Sequence, residues 1–404
     1  MEEPQLAHQF RGLKGGVTGL SFHPHIKQVA ASSLDSNIMV WNFSSENNLK
    51  ALRYSGHTDA VLDIQYSPSG SLLASSSKDR TIRIWVVKSV KGQSTDFKGH
   101  QGPVRSVDFN SDGSKILSAS DDKSIKLWTV EKQRFIKSFN GHNNWVRSAK
   151  WSPDQKMIAS VSDDRSLKLF DENTGKEIHS FNEPGRGFGQ CLSFHPSGSC
   201  IAIGTSDKKV KMYDIRTMKL HQSYTSHTGP VNQVAFHPSG CYLLSCSSDG
   251  FVKMFDIIEA QPVYGLTGHK EEVTAIEFSP KGEYFSSGGS DNAVFVWKSN
   301  IDSSSSNSLK DKNVKDGNTV RALSELDLNK SDYENIEKQS ILKKNPLEQD
   351  VDTTTLKAEI NRLNQKVETL TQTIFYMEKR MTIVEEQLKL YTDPSIGESE
   401  TCEY

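Results

Sequence analysis

Twelve histidines and five cysteines are the residues of this chain that could hold a metal ion. Their spacing argues against it. Cys191, Cys200, Cys241, Cys246 and Cys402 are odd in number and never form a Cys-x-x-Cys pair. Zinc sites and disulfide frameworks are built on paired spacings. The pattern predicts free, buried thiols in a reducing compartment. His57, His100, His142, His227 and His269 each stand 22 residues before an aspartate, namely Asp79, Asp122, Asp164, Asp249 and Asp291. His23, His195 and His237 each precede a proline at a turn. Both settings read as structural. The chain has no Gly-x-x-x-x-Gly-Lys-Ser/Thr phosphate loop, no Gly-x-Ser-x-Gly elbow and no His-Glu-x-x-His zinc helix. A protein that is not an enzyme, with no cofactor and no metal, is expected.

The aspartates belong to a larger pattern. Seven times an Asp precedes a bulky aromatic by six residues: Asp35/Trp41, Asp79/Trp85, Asp122/Trp128, Asp164/Phe170, Asp207/Tyr213, Asp249/Phe255 and Asp291/Trp297. Successive aromatics lie 42 to 44 residues apart. Five periods open on Gly-His, or Ser226-His227 in one case, followed by a short alternating strand such as Val104–Phe109. A turn rich in Pro, Gly, Ser or Asp comes next. A small-residue strand such as Leu72–Ser77 then leads to the Asp, and a third strand, over 81–85 in the second period, ends on the aromatic. Short strands at even spacing mean an all-β architecture, and a period of roughly 40–45 residues is that of a propeller blade.

The repeats resemble the WD40 family, which implies a seven-bladed β-propeller. By that resemblance His, a strand Ser or Thr, Asp and the aromatic form a hydrogen-bonded tetrad in each blade. The role falls on His57, Asp79 and Trp85; on His100, Asp122 and Trp128; on His142 and Asp164; on His227 and Asp249; and on His269, Asp291 and Trp297. Phe170 and Phe255 lack an indole N–H, so their tetrads must be incomplete. Leu13 replaces the first histidine, and Glu183-Pro184 replaces Gly-His in the fifth repeat, which makes blade five the least regular. No fourth strand follows Trp297. Residues 7–11, with nothing local to pair with, are expected to supply the outer strand of blade seven and close the ring.

The start, Met-Glu-Glu-Pro-Gln, lacks an apolar stretch, so no signal peptide is expected. No segment approaches the ~20 apolar residues that cross a bilayer. Residues 1–300 hold 34 basic and 30 acidic side chains, out of 48 and 50 in the chain. That excess is too small to indicate nucleic acid. Arg83, Lys126, Lys168, Lys211 and Lys253 each lie two before a repeat aromatic. They form a basic ladder ordinary for such repeats; as a functional surface it would suit an acidic partner, such as the carboxylate-rich tails of tubulin.

Residues 301–353, with a serine run at 303–306, read as a flexible, disordered polar linker. A coiled coil is expected over 354–392 and a disordered tail over 393–404. Its seam is Leu356, Ile360, Leu363, Val367, Leu370, Ile374, Met377, Met381, Val384, Leu388 and Tyr391, in alternating steps of four and three. β-Branched residues at a with Leu at d favour two parallel strands, which predicts a homo-oligomer.

WD propellers concentrate partner contacts beside the dipeptide loop and just before the repeat Asp. By resemblance those positions are Trp145, Arg147, Phe188, Gln190, Arg105, Lys78, Asp121 and Asp163. Large aromatics beside Arg match interface chemistry, although Trp145 could instead pack beneath its loop. Seven repeats, the Val-Trp-Lys-Ser-Asn exit at 296–300 and the coil segment LTQTIFYMEKRMTIVEEQLK at 370–389 together resemble the centriolar WD-repeat family named from "proteome of centriole". The resemblance implies a non-enzymatic scaffold in the cytoskeleton of the cytoplasm, at centrioles, basal bodies and spindle poles. It would bind tubulin or inner-wall proteins, reinforce the microtubule triplet wall and support cilium assembly and spindle-pole integrity, with no nucleic-acid or membrane partner. The alternative is a peptide-reading adaptor, such as the substrate receptor of a ubiquitin ligase, but no adaptor-docking motif is found.

Overall fold

The computed structural model describes residues 3–44, 51–87, 93–182 and 187–301. They form seven antiparallel sheets of four strands each. Blade two shows the plan. Its strands run Val61–Tyr66, Leu72–Ser77, Thr81–Val86 and Ser94–Lys98, paired in that order from the axis outward. The first strands of all seven blades pack side by side in a closed ring. The predicted linker beyond Ile301, the coil over 354–392, the tail over 393–404 and Glu183-Pro184 lie outside the described residues.

Small residues make the second strands. Ser75, Ser76 and Ser77 are completely buried, which lets neighbouring sheets approach closely. Larger side chains fill the gaps between blades: Val61, Ile64, Leu73 and Trp85 form one such cluster with Ile38 and Tyr54 of blade one. The turn after each second strand is held by its aspartate. In blade two Asp79 Oδ1 accepts the Thr81 N–H at 2.9 Å, and Ser77 Oγ accepts the Asp79 N–H at 3.1 Å. That satisfies backbone donors a tight turn would leave open.

Closure uses the N-terminal segment. Gln5–Arg11 pairs antiparallel with Ala293–Lys298, from Gln5 opposite Lys298 to Arg11 opposite Ala293. Phe10 stacks on Trp41 at 5.5 Å and so ties the added strand to blade one. The seams between blades are also stitched by first-strand side chains that accept backbone N–H groups next door. Glu277 takes Phe22 N at 2.8 Å, Asp63 takes Val107 N at 3.1 Å and Asp108 takes Trp151 N at 2.8 Å. At the turns that follow the first strands, His195 Nε2 lies 2.9 Å from Gly240 O, and His237 Nε2 lies 3.3 Å from Gly282 O. Two of the His-Pro turns therefore latch successive blades.

One backbone feature is invisible in the sequence. Every first strand shifts register between its first and third residues, as at Val104/Ser106 and Val146/Ser148. The second residue is thus the bulged one. In blades three, four and five it is Arg105, Arg147 and Gln190. A bulge re-aims its side chain, and here it sends two guanidiniums to the rim.

A candidate protein-binding rim

Arg105 and Arg147 leave their bulges toward the residue just before the repeat Asp. Arg105 Nε and Nη2 donate to the two oxygens of Asp121, both at 2.8 Å. Arg147 does the same to Asp163, both at 2.7 Å. Such forked pairs fix orientation as well as charge. Hydrogen bonding to Asp163 outweighs burial and holds the Arg147 guanidinium above its ordinary pKa. Asp121 and Asp163, expected as contact residues, are therefore committed within their own blades.

Trp145 stands over this pair of forks. Its ring is 5.8 Å from the Arg105 guanidinium and 5.5 Å from that of Arg147, which in turn lies 5.4 Å from the Phe188 ring. The row Arg105, Trp145, Arg147 and Phe188 crosses blades three, four and five. Trp145 keeps 44% of its surface exposed. It is held in place and still presented to solvent, so it is not packed away beneath its loop. Gln190 is half-buried next to the row, and Lys78 is exposed on blade two.

The basic ladder is not a free surface. Lys126 Nζ donates to Gly99 O at 2.7 Å, and Lys253 Nζ donates to Ser226 O. Lys168 pairs with Glu177 at 2.6 Å, and Arg83 pairs with Asp96 at 3.4 Å. Lys211 is buried. The aliphatic stems run along the third strands, and the charged heads are used inside each blade.

The five histidines carry more chemistry than their spacing shows. In blade two His57 Nδ1 lies 2.8 Å from Asp79 Oδ2, and Nε2 lies 2.7 Å from Ser75 Oγ. Trp85 Nε1 donates to that same Oγ at 2.9 Å. Burial raises the Asp79 pKa, but hydrogen bonds from His57 and Thr81 outweigh it and hold the carboxyl well below its usual range. Asp79 is thus an acceptor, and His57 Nδ1 is its donor. Ser, His and Asp are connected as in a hydrolytic triad. Ser75 is fully buried, however, and its oxygen is already shared with the indole. A nucleophile needs space beside it for a carbonyl carbon, and there is none.

Blades three and seven repeat the full tetrad through Ser118 and Ser287. Blades four and six keep the His–Ser and His–Asp contacts through Ser160 and Ser245, without the indole. Blade one dispenses with the polar set. Leu13, Ala31 and Trp41 share one apolar cluster there. The cysteines divide: Cys191 and Cys246 are buried and free, but Cys200 and Cys241 are free and only half-buried. Both sit at or next to the turn between a first and a second strand, where the second strand begins. Cys402 lies outside the described residues. Burial pushes the Cys191 thiol up to about 12.

A central cavity of about 460 Å³ is lined by Asp63, Asp108, Lys150 and Glu277. Lys150 Nζ lies 3.3 Å from Asp108, and burial pushes Glu277 up to about 8. These carboxylates already hold backbone N–H groups of neighbouring blades. Among the described residues no group of three His, Cys, Asp or Glu could hold a metal ion.

The buried histidines make stability depend on pH. Burial lowers His100 and His227 below their ordinary range, against the opposing pull of Asp122 and Asp249. A histidine with a lowered folded pKa stabilises the fold fully above its unfolded pKa of about 6.5 and loses that contribution as pH falls through the folded value. The thermal midpoint should be flat between pH 7 and 8. Below about pH 6.5 stability should fall, by up to ~1.4 kcal/mol per pH unit for each such histidine. A midpoint unchanged down to pH 5 would show that these rings take up protons without disturbing the blades.

Seven four-stranded sheets in a closed ring define a seven-bladed β-propeller. The description "WD domain, G-beta repeat" matches residues 4–42, 49–86, 91–129, 133–171, 175–214, 218–256 and 260–298. The chain belongs to this WD40 family. It is 41% identical over 71 residues to nuclear distribution protein nudF 1 of Talaromyces marneffei, covering 17% of this chain and 15% of that protein. It is 34% identical over 80 residues to nuclear distribution protein PAC1 of Gibberella zeae, covering 19% and 17%. It is 29% identical over 91 residues to human WD repeat-containing protein 37, covering 22% and 18%. The matched stretches span less than a fifth of each relative.

Proposed function

We propose that this chain is a non-enzymatic scaffold of centrioles and basal bodies that binds and reinforces the microtubule triplet wall. The observation that carries a binding role is the rim row. Trp145 is exposed, oriented by Arg105 and Arg147, and continued by Phe188. Trp and Arg dominate interface hot spots because they bury large area with little loss of freedom when already held. The centriolar reading is supported by the resemblance of the coil segment at 370–389 and by the layout of seven repeats, polar arm and coil. On this reading the coil gathers copies into homo-oligomers, and linked weak sites gain apparent affinity by ~10²–10⁴.

Expansion microscopy of the tagged full chain against tubulin tests the proposal. The wild-type chain should decorate the triplet wall. Trp145→Ala should reduce that occupancy sharply, since an exposed hot-spot aromatic contributes ≥ ~2 kcal/mol to binding, while the thermal midpoint stays within a degree or two. A wild-type chain that avoids centrioles, or a Trp145→Ala chain that fills the wall normally, would refute it.

A further inference from the structure

We propose that the face of blades two to five that carries the repeat-Asp turns binds an extended acidic peptide segment, with an apolar side chain set against Trp145; this rests on the scaffold reading and names the chemistry of its partner. The observation is a conformational one. The residue after each repeat Asp sits in the left-handed region. In blades six, seven and one that residue is Gly250 (φ 82°), Asn292 (φ 60°) and Ser36 (φ 66°). Glycine and asparagine reach this region readily. In blades two to five it is Arg80 (φ 70°), Lys123 (φ 70°), Arg165 (φ 66°) and Lys208 (φ 71°). Long side chains there carry a conformational penalty that Gly and Asn escape. All four are exposed.

Their placement is one-sided. The four basic residues occupy consecutive blades, and Lys78 adds a fifth exposed charge on blade two. On the other side of the same face, blade seven presents the exposed Glu271 and Glu272 beside Lys270. Trp145 stands within this basic arc, on blade four. Arg105 and Arg147 each spend two of five N–H groups on an aspartate, so three on each remain to be satisfied by other acceptors.

Geometry selects the occupant. Face-packed sheets lie ~10 Å apart and an extended chain advances ~3.3 Å per residue. A peptide crossing the arc therefore meets a new cation about every third residue. A segment with carboxylates at that interval matches the arc, and one aromatic or aliphatic residue between them reaches the indole. A nucleic acid fits less well. Asp121 and Asp163 interrupt the basic surface between the cations, which suits a chain with spaced carboxylates better than one that carries a charge at every unit.

The full chain is titrated into a fluorescein-labelled peptide of about twelve residues, with glutamate at every third position and a central tyrosine, and anisotropy is read at low and physiological salt. Wild type should bind, more weakly at higher salt as exposed charges are screened. Arg80→Asn with Lys123→Asn, Arg165→Asn and Lys208→Asn should weaken binding by more than about tenfold. Because asparagine suits the left-handed turn, this variant should melt no lower than wild type. Trp145→Ala should also weaken binding. Lys281→Asn with Lys298→Asn, on the opposite face, should change it less than about twofold. Absence of peptide binding, an equal loss in the opposite-face variant, or tighter binding of an oligothymidine than of the peptide would each overturn the proposal. Absence of peptide binding in a chain that still decorates the triplet wall, and loses it on Trp145→Ala, would overturn this inference alone and leave the scaffold reading standing.

Discussion

Deleting residues 1–11 from the full chain lowers the thermal midpoint of the propeller by roughly 6–24 °C. The strand Gln5–Arg11 is mostly exposed, so it contributes little through its own burial. Its contribution is to the edge it covers. Six residue pairs join it to Ala293–Lys298, whose Phe295 and Trp297 belong to the last interblade cluster. Without it, the backbone N–H and C=O groups on that side of the strand return to water, and Phe10 leaves Trp41. At about 1 kcal/mol net per hydrogen bond, and a comparable sum for the Phe10 contacts, the loss is ~3–6 kcal/mol. For a domain of this size each kcal/mol shifts the midpoint by about 2–4 °C. The uncovered strand is also a flat free edge that another chain can pair with. Sedimentation should therefore show concentration-dependent association of the shortened chain. A midpoint equal to wild type would mean that the three strands of blade seven hold the ring closed by themselves.

Much of this architecture is legible in the sequence because the repeat supplies seven independent copies of one rule. The Asp-to-aromatic interval places the turns, and the small-residue runs place the second strands: Leu72–Ser77 is a strand with those bounds. Pairing of a strand near residues 7–11 with the end of blade seven follows from counting, since one strand is left over at each end; the observed strand, Gln5–Arg11, starts two residues earlier. The rim was only half legible. Trp145 and Arg147 stand out by type, but their arrangement depends on the bulge in each first strand. One displaced residue inside an alternating strand leaves no mark in composition. A usable signal does exist. Arg105 and Asp121, like Arg147 and Asp163, are 16 residues apart in consecutive repeats, and no other blade has that pair. The basic ladder misleads for the opposite reason. Period-two alternation places Arg83 and its equivalents on the polar side of a strand, but it cannot show that Gly99 O or Glu177 waits at the far end of the side chain. Likewise, Leu13 reads as a missing histidine, whereas Ala31 shows that blade one has replaced the buried polar set with an apolar one.

That replacement frames the last expected result. Ser75→Ala destabilises the propeller by ~2–6 kcal/mol, and Ser160→Ala by only ~1–3 kcal/mol, although both serines are completely buried. Each oxygen serves a histidine Nε2, at 2.7 Å in both blades. Ser75 also accepts the Trp85 indole N–H, whereas blade four has Phe170 at that position and needs no acceptor. Truncating Ser75 therefore strands two buried polar atoms, and truncating Ser160 strands one. Leaving a buried donor or acceptor unmet costs about 1–3 kcal/mol. The difference should vanish when the donor is removed. In the Trp85→Phe background, Ser75→Ala should cost about as much as Ser160→Ala, a coupling of ~1–3 kcal/mol between residues in direct contact. Chemical denaturation of the four variants measures it. Equal losses for Ser75→Ala and Ser160→Ala in the native background would show that water reaches the Trp85 indole, and that the tetrad is held by packing instead of by its hydrogen bonds.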